Sequence, residues 1–166
     1  MKKLLVVVTL LASASVFAAS DDLVFEPTVG PSIGIHNAGH NFLLEPRIGW
    51  EMIKFGLGMY LGNSVAFRPH IAVDIPFYLS LAESDDFGIG PTFDAGPSFN
   101  VKGTKFIDFM QIGFGLKTTY RFMDNFGVVF VPVHMGMSFA GWTSGAGAGA
   151  GFAMVYDLKF GVFLEF

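Results

Sequence analysis

The sequence predicts an all-β fold, an eight-stranded antiparallel up-and-down barrel that crosses a membrane, and three observations carry that prediction. The 166-residue chain is 52% hydrophobic with 20 Phe, yet beyond its first 18 residues no apolar run approaches the roughly 20 residues a transmembrane helix needs. Apolar residues instead recur at every second position, the spacing that places them on one face of a strand. A backbone in lipid must also satisfy its own N–H and C=O groups, which leaves the closed barrel once helices are excluded.

The alternation is clearest at the C-terminus, where Phe152, Met154, Tyr156, Leu158, Phe160, Val162, Leu164 and Phe166 share one face. The intervening row carries Asp157, Lys159 and Glu165, a lipid-out, lumen-in pattern. From Val65 to Leu81 the same holds: Val65, Phe67, Pro69, Ile71, Val73, Ile75, Phe77, Leu79 and Leu81 share a face opposite Arg68, His70, Asp74, Tyr78 and Ser80. A soluble β-sandwich also alternates, but rarely with so long and aromatic an apolar row.

From these two anchors the remaining elements follow in order. Strands are expected over Leu23–Ile35, Phe42–Glu51, Phe55–Leu61, Val65–Leu81, Phe87–Val101, Phe106–Phe122, Gly127–Phe139 and Gly151–Phe166. Sixteen strands of about 10 residues would need about 160 residues before any turn, more than the chain has beyond its first 18. The outer connections His36–Asn41, Gly62–Ser64 and Lys102–Lys105 are short, whereas Ala140–Ala150 is a Gly/Ala-rich loop or an extension of the last hairpin. All eight prolines fall within these strands. Proline gives no N–H to a ladder, so they are expected at strand ends or bulges. Pro27–Ser32 and Pro91–Ser98 match after a two-residue insertion that keeps strand facing, and Ile48-Gly49-Trp50 echoes Ile112-Gly113-Phe114, the pattern of a four-strand unit used twice.

Met1-Lys2-Lys3, an apolar stretch and the small-residue end at Val16-Phe17-Ala18 have the layout of a secretory signal peptide over residues 1–18, leaving 19–166 as one barrel domain. Removing Lys2 and Lys3 leaves 8 of the 10 basic residues against 14 acidic ones, so nucleic acid is not an expected partner. There is no cysteine to staple an exported domain.

Phe166 ends the lipid-facing row that includes Phe160, Val162 and Leu164, and this resembles the closing strand of bacterial outer-membrane proteins. Thr119-Tyr120-Arg121-Phe122-Met123-Asp124-Asn125-Phe126-Gly127 resembles the aromatic, Asp-Asn, aromatic periplasmic turn of the OmpA transmembrane domain and OmpX-like barrels. The resemblance implies the cell outer membrane as location and membrane lipid as surroundings. It also implies the barrel-assembly machinery as a partner, reading Phe160, Leu164 and Phe166 as its signal. The long outer loops of that family are missing, which argues against adhesin-like roles.

The lumen row is predicted to hold Glu45, Arg47, Glu51, Arg68, His70, Asp74, Tyr78, Asp94, Gln111, Lys117, Arg121, His134, Asp157, Lys159 and Glu165. An eight-stranded interior is just wide enough to fill with side chains, so these charges are expected to pair and plug it, giving a structural or passive role. The alternative is a narrow channel or small-molecule transport barrel, because many lumen positions are Gly, Ala or Ser. An outer-membrane lipid-modifying enzyme built on His134 and Ser138 fits poorly, since four residues along a strand separate them by roughly 13 Å. His36 and His40 are two ligands only, so neither metal nor cofactor is expected. Trp50, Tyr60, Tyr78, Tyr120, Trp142 and Tyr156 are expected in the interfacial belts.

Overall fold

A computed structural model describes residues 23–34, 40–50, 52–62, 65–79, 87–102, 105–140 and 152–166. Among them no helix is long and apolar enough to cross a membrane. The strands are β1 (Val24–Gly34), β2 (His40–Gly49), β3 (Ile53–Leu61), β4 (Val65–Asp74), β5 (Phe77–Leu79), β6 (Phe87–Lys102), β7 (Lys105–Met123), β8 (Phe126–Ala140) and β9 (Phe152–Glu165). Every pairing is antiparallel, β1 meets β9, and β4 meets β6. Segment β5 continues β4 past Ile75-Pro76 in the same register against β6, so nine segments make a closed eight-stranded barrel. The sequence-predicted strand ends lie within about two residues of these limits, except that the fourth strand is broken at Pro76. The signal-peptide segment, His36, Glu51 and Ala140–Ala150, apart from Ala140 itself, lie outside the described residues.

Side chains obey the strand period of two. Outward residues include Ile71 at 50% exposure, Phe55 at 52% and Phe160 at 48%, whereas their inward neighbours His70, Lys54 and Lys159 are buried. Phe130 and Phe160, opposite one another on β8 and β9, stack outside at 4.7 Å between centroids. The polar core and the apolar exterior invert a soluble protein, as lipid surroundings require.

Apart from Pro76, which lies in the break between β4 and β5, the prolines shape the wall rather than ending its strands. Pro27, Pro31, Pro46, Pro69, Pro91 and Pro97 stand on the outward row. Pro69 and Pro97 sit across the seam between β4 and β6, where the pairing lapses between Phe67–Phe99 and Ile71–Ala95. The β1–β9 ladder lapses in the same way beside Pro27 and Pro31, and the β2–β3 ladder beside Pro46. Missing N–H groups explain the gaps. Pro132 lies in a bulge of β8, between Val131 opposite Lys159 and His134 opposite Asp157. The extra residue flips the facing, so Val129 and Val131 point inward before the bulge, and His134, Gly136 and Ser138 after it.

Candidate functional site

The lumen is a charged network to which each of the eight barrel strands contributes. Its buried members are five carboxylates (Glu26, Glu45, Asp74, Asp94, Asp157), five cations (Arg47, Lys54, Arg68, Lys117, Lys159) and the histidines His70 and His134. Strand alternation puts them there: Glu26 comes from β1, Glu45 and Arg47 from β2, and Lys54 from β3. Next, β4 supplies Arg68, His70 and Asp74, β6 Asp94, β7 Lys117, β8 His134, and β9 Asp157 and Lys159.

Glu45 is the hub of the middle of the lumen. Its Oε1 accepts from Arg47 Nε at 2.6 Å and from Lys159 Nζ at 2.9 Å, and its Oε2 accepts from Arg68 Nη2 at 3.3 Å. The other end of Arg68 donates from Nη1 to Asp94 at 2.9 Å, so one guanidinium ties β2 to β6 through β4. His134 stands between two carboxylates, with Nε2 2.6 Å from Asp94 and Nδ1 3.1 Å from Asp157. Charge-assisted bonds in a buried lumen are short and strong, and each partner offsets the other's loss of water.

Toward the end that carries the chain termini, Asp74 collects a second group. Its Oδ2 accepts from Lys54 at 2.9 Å and Lys117 at 2.7 Å, and its Oδ1 accepts from Thr92 at 2.7 Å. Lys117 also bonds Glu26. At the rim, half-buried Arg121 pairs with Glu165 at 2.5 Å, donates to the Asp124 carbonyl, and lies 5.6 Å over the Phe163 ring. A cavity of about 530 Å³ opens at this end, floored by Glu26, Lys54, Asp74 and Lys117 and walled by Trp50, Met52, Arg121 and Glu165.

The sequence-predicted residues Glu45, Arg47, Arg68, His70, Asp74, Asp94, Gln111, Lys117, His134, Asp157 and Lys159 are all buried inward. Arg121 and Glu165 stay at the rim. Phe160 and Phe166 are exposed outward, and Leu164 shares their row. The structure corrects one expectation outright: Tyr60 is 6% exposed and faces the lumen, not an interfacial belt, because it shares the inward row of Lys54, Gly56 and Gly58. Trp50 and Tyr120 are outward at 45% and 49% exposure. Reasoning from sequence missed Glu26 and Lys54, although strand parity puts both on inward rows, Glu26 two residues before Thr28 and Lys54 two before Gly56. Among the described residues no cluster of His, Asp or Glu is arranged to hold a metal ion. His134 turns both ring nitrogens to carboxylates.

No protein-family model matches the chain, and no curated protein matches it in sequence. Its fold is shared with solved outer-membrane barrels. The N-terminal β-barrel domain of Pseudomonas aeruginosa OprF superposes with a TM-score of 0.51 at 15% identity, covering 89% of this chain and 98% of that one. Neisserial surface protein A superposes with a TM-score of 0.55 at 12% identity, over 87% and 97% of the two chains. The chain has the eight-stranded outer-membrane barrel fold expected from its OmpA-like and OmpX-like features. That fold and the apolar exterior together place it in the cell outer membrane.

Proposed function

We propose that the chain is an integral outer-membrane protein with a structural or passive role, its lumen closed by ion pairs. The observation that supports this reading is that every barrel strand contributes to the network around Glu45 and Asp74, with Glu26 of β1, Asp94 of β6 and His134 of β8 joining through Lys117 and Arg68. Such a lattice fills the narrow interior of an eight-stranded barrel and braces it from side to side. Residues 1–18 act as the signal peptide, residues 19–166 form the barrel, and strand β9 with Phe160, Leu164 and Phe166 presents the signal to the barrel-assembly machinery. We read the role as non-enzymatic: both ring nitrogens of His134 are taken up by Asp94 and Asp157, which argues against its activating Ser138.

A narrow channel is the second reading, favoured by buried polar atoms that have no hydrogen-bond partner among the described residues at Tyr60, His70 and Gln111. Unpaired polar atoms along a lumen favour a water path. Single-barrel recordings in planar bilayers separate the two. The plugged barrel carries no steady current, and Arg68→Ala, which leaves Glu45 and Asp94 short of a cation, opens it or makes it flicker. A steady current through the wild-type chain would overturn the plug and establish the channel.

A further inference from the structure

Strand β8 is tied into the lumen by His134. The Pro132 bulge turns this residue inward and interrupts the β8–β9 ladder between Val131 and His134. Directly across from His134 on β9 stands Asp157, so their side-chain bond lies beside the gap in the backbone pairing. On β7 the neighbouring inward position is Gly113, where a Cβ would come within 2.7 Å of the ring and 2.5 Å of the Asp94 carboxylate. That missing side chain lets the imidazole reach over β7 to Asp94 of β6.

Two ring nitrogens facing two carboxylates set the chemistry. Nε2 lies 2.6 Å from Asp94 and Nδ1 3.1 Å from Asp157. An imidazolium donates from both nitrogens, whereas a neutral ring donates from one and turns a lone pair toward the other carboxylate. Losing the proton therefore breaks one of the two bonds and puts repulsion in its place. The carboxylates differ in what remains to them. Asp94 also accepts from Arg68 at 2.9 Å, but Asp157 has His134 as its only ion-pair contact among the described residues. The other ionisable groups facing the site are Arg47 of β2, Tyr60 of β3, Arg68 of β4 and Lys159 of β9. From β1 and β7 come the neutral Ser32, Gly113 and Gly115. Arginine, lysine and tyrosine ordinarily change charge above about pH 8 and carboxylates below about pH 5, so histidine is the group here that switches between them.

The second buried histidine is placed differently. His70 Nδ1 donates to the Arg68 carbonyl on its own strand, a bond that a neutral ring makes in full, and its Nε2 has no hydrogen-bond partner among the described residues. Its proton decides no hydrogen bond between strands.

We infer that His134 is a pH-operated latch on the lumen. Charged, it clamps β6 to the β8–β9 bulge through Asp94 and Asp157; neutral, it lets go of one carboxylate and loosens the wall there. The inference rests on the lumen being closed by ion pairs. Because the closed lumen makes two bonds to the charged ring, the stability that the latch adds is present at the acidic end of the range and lost as pH rises.

The test uses the folded barrel with His134 as sole histidine, made by replacing the other three as His36→Gln, His40→Gln and His70→Gln, and compares it with His134→Gln in the same background. Single-barrel current in planar bilayers and denaturant unfolding from vesicles are followed from about pH 5 to about pH 8. The sole-histidine barrel is expected to be silent at the acidic end and to flicker at the alkaline end, with its unfolding midpoint falling over the same span. The His134→Gln barrel is expected to behave alike throughout. Nitrogen-15 spectra of the sole-histidine chain keep the test open should His134→Gln fail to fold. Two ring N–H groups are expected at the acidic end and one at the alkaline end, the second lost over the span in which flicker begins. Two N–H groups at every pH, loss of one with silence and midpoint unchanged, or a pH response kept in full by His134→Gln would each overturn the latch and leave the closed lumen standing. A steady current already at the acidic end would overturn the closed lumen and the latch with it.

Discussion

At the scale of single residues, what matters is how many partners a buried charge has. Glu45 meets Arg47, Arg68 and Lys159 at once. Removing it as Glu45→Ala leaves three buried cations short of a partner, and a loss of about 3–5 kcal/mol is expected, since breaking a buried pair strands the remaining charge. Equilibrium unfolding from lipid vesicles measures this, and a loss within error of zero would mean that the pairs are incidental. A neutral analogue lies on the outer face. Tyr156 donates its hydroxyl to the Pro132 carbonyl at 2.6 Å, in the bulge that interrupts β8. Tyr156→Phe keeps the ring and strands that carbonyl, so a cost of about 1–3 kcal/mol is expected in the same assay. The charged lumen was legible in the sequence because strand parity alone fixes facing. Tyr60 was not, because its aromatic character suggested the interface while its position in the row dictated the lumen. The Tyr156 bond was hidden for another reason, since no local pattern reveals a carbonyl freed by a bulge in the neighbouring strand.

At the scale of elements, the informative unit is the Gly-Pro step. Gly30-Pro31-Ser32 on β1 and Gly96-Pro97-Ser98 on β6 belong to the two segments whose sequences match, and they do the same thing in space. In each, the glycine faces inward so close to the strand before it in the barrel that a Cβ would run into a backbone carbonyl, Leu158 in one case and Pro69 in the other. The proline beside it withholds an N–H where the ladder lapses. Backbone cannot step aside as a flexible side chain can. Gly30→Ala and Gly96→Ala are therefore each expected to destabilise the barrel by about 1–3 kcal/mol, the range of overpacking. Gly58→Ala is the contrast, because there a Cβ finds ordinary contacts from 3.5 Å at Arg68 and Tyr60. Equal costs in unfolding titrations would remove the steric explanation. The sequence already placed these prolines inside strands and pointed to bulges, which holds for Pro132. It did not reveal that Pro31 and Pro97 stand on the outward row beside gaps, because a gap depends on which strand lies alongside.

At the scale of the whole molecule, the barrel is a polar core inside an apolar sleeve, and depth in the bilayer should govern the cost of disturbing the sleeve. Val73 and Phe77 test this, since they share the outward row on either side of the Pro76 break and differ in height. Val73 is 37% exposed and pairs with Ile53 on one side and Phe93 on the other, well within the wall. Phe77 is 60% exposed and stands beyond the end of β3, where only β6 flanks it. An arginine facing lipid costs about 2–4 kcal/mol near the bilayer midplane and about 0–1 near an interface, because a side chain near the edge reaches water with little distortion. Val73→Arg should therefore lose most of that range and Phe77→Arg little, measured by unfolding each variant from vesicles of one lipid composition. Both substitutions place the same charge on the same face, so intrinsic strand propensity cannot produce the difference. If the two cost the same, the outward row does not cross a thickness of hydrocarbon, and the alternation so plain in the sequence would have to belong to a sheet that faces water.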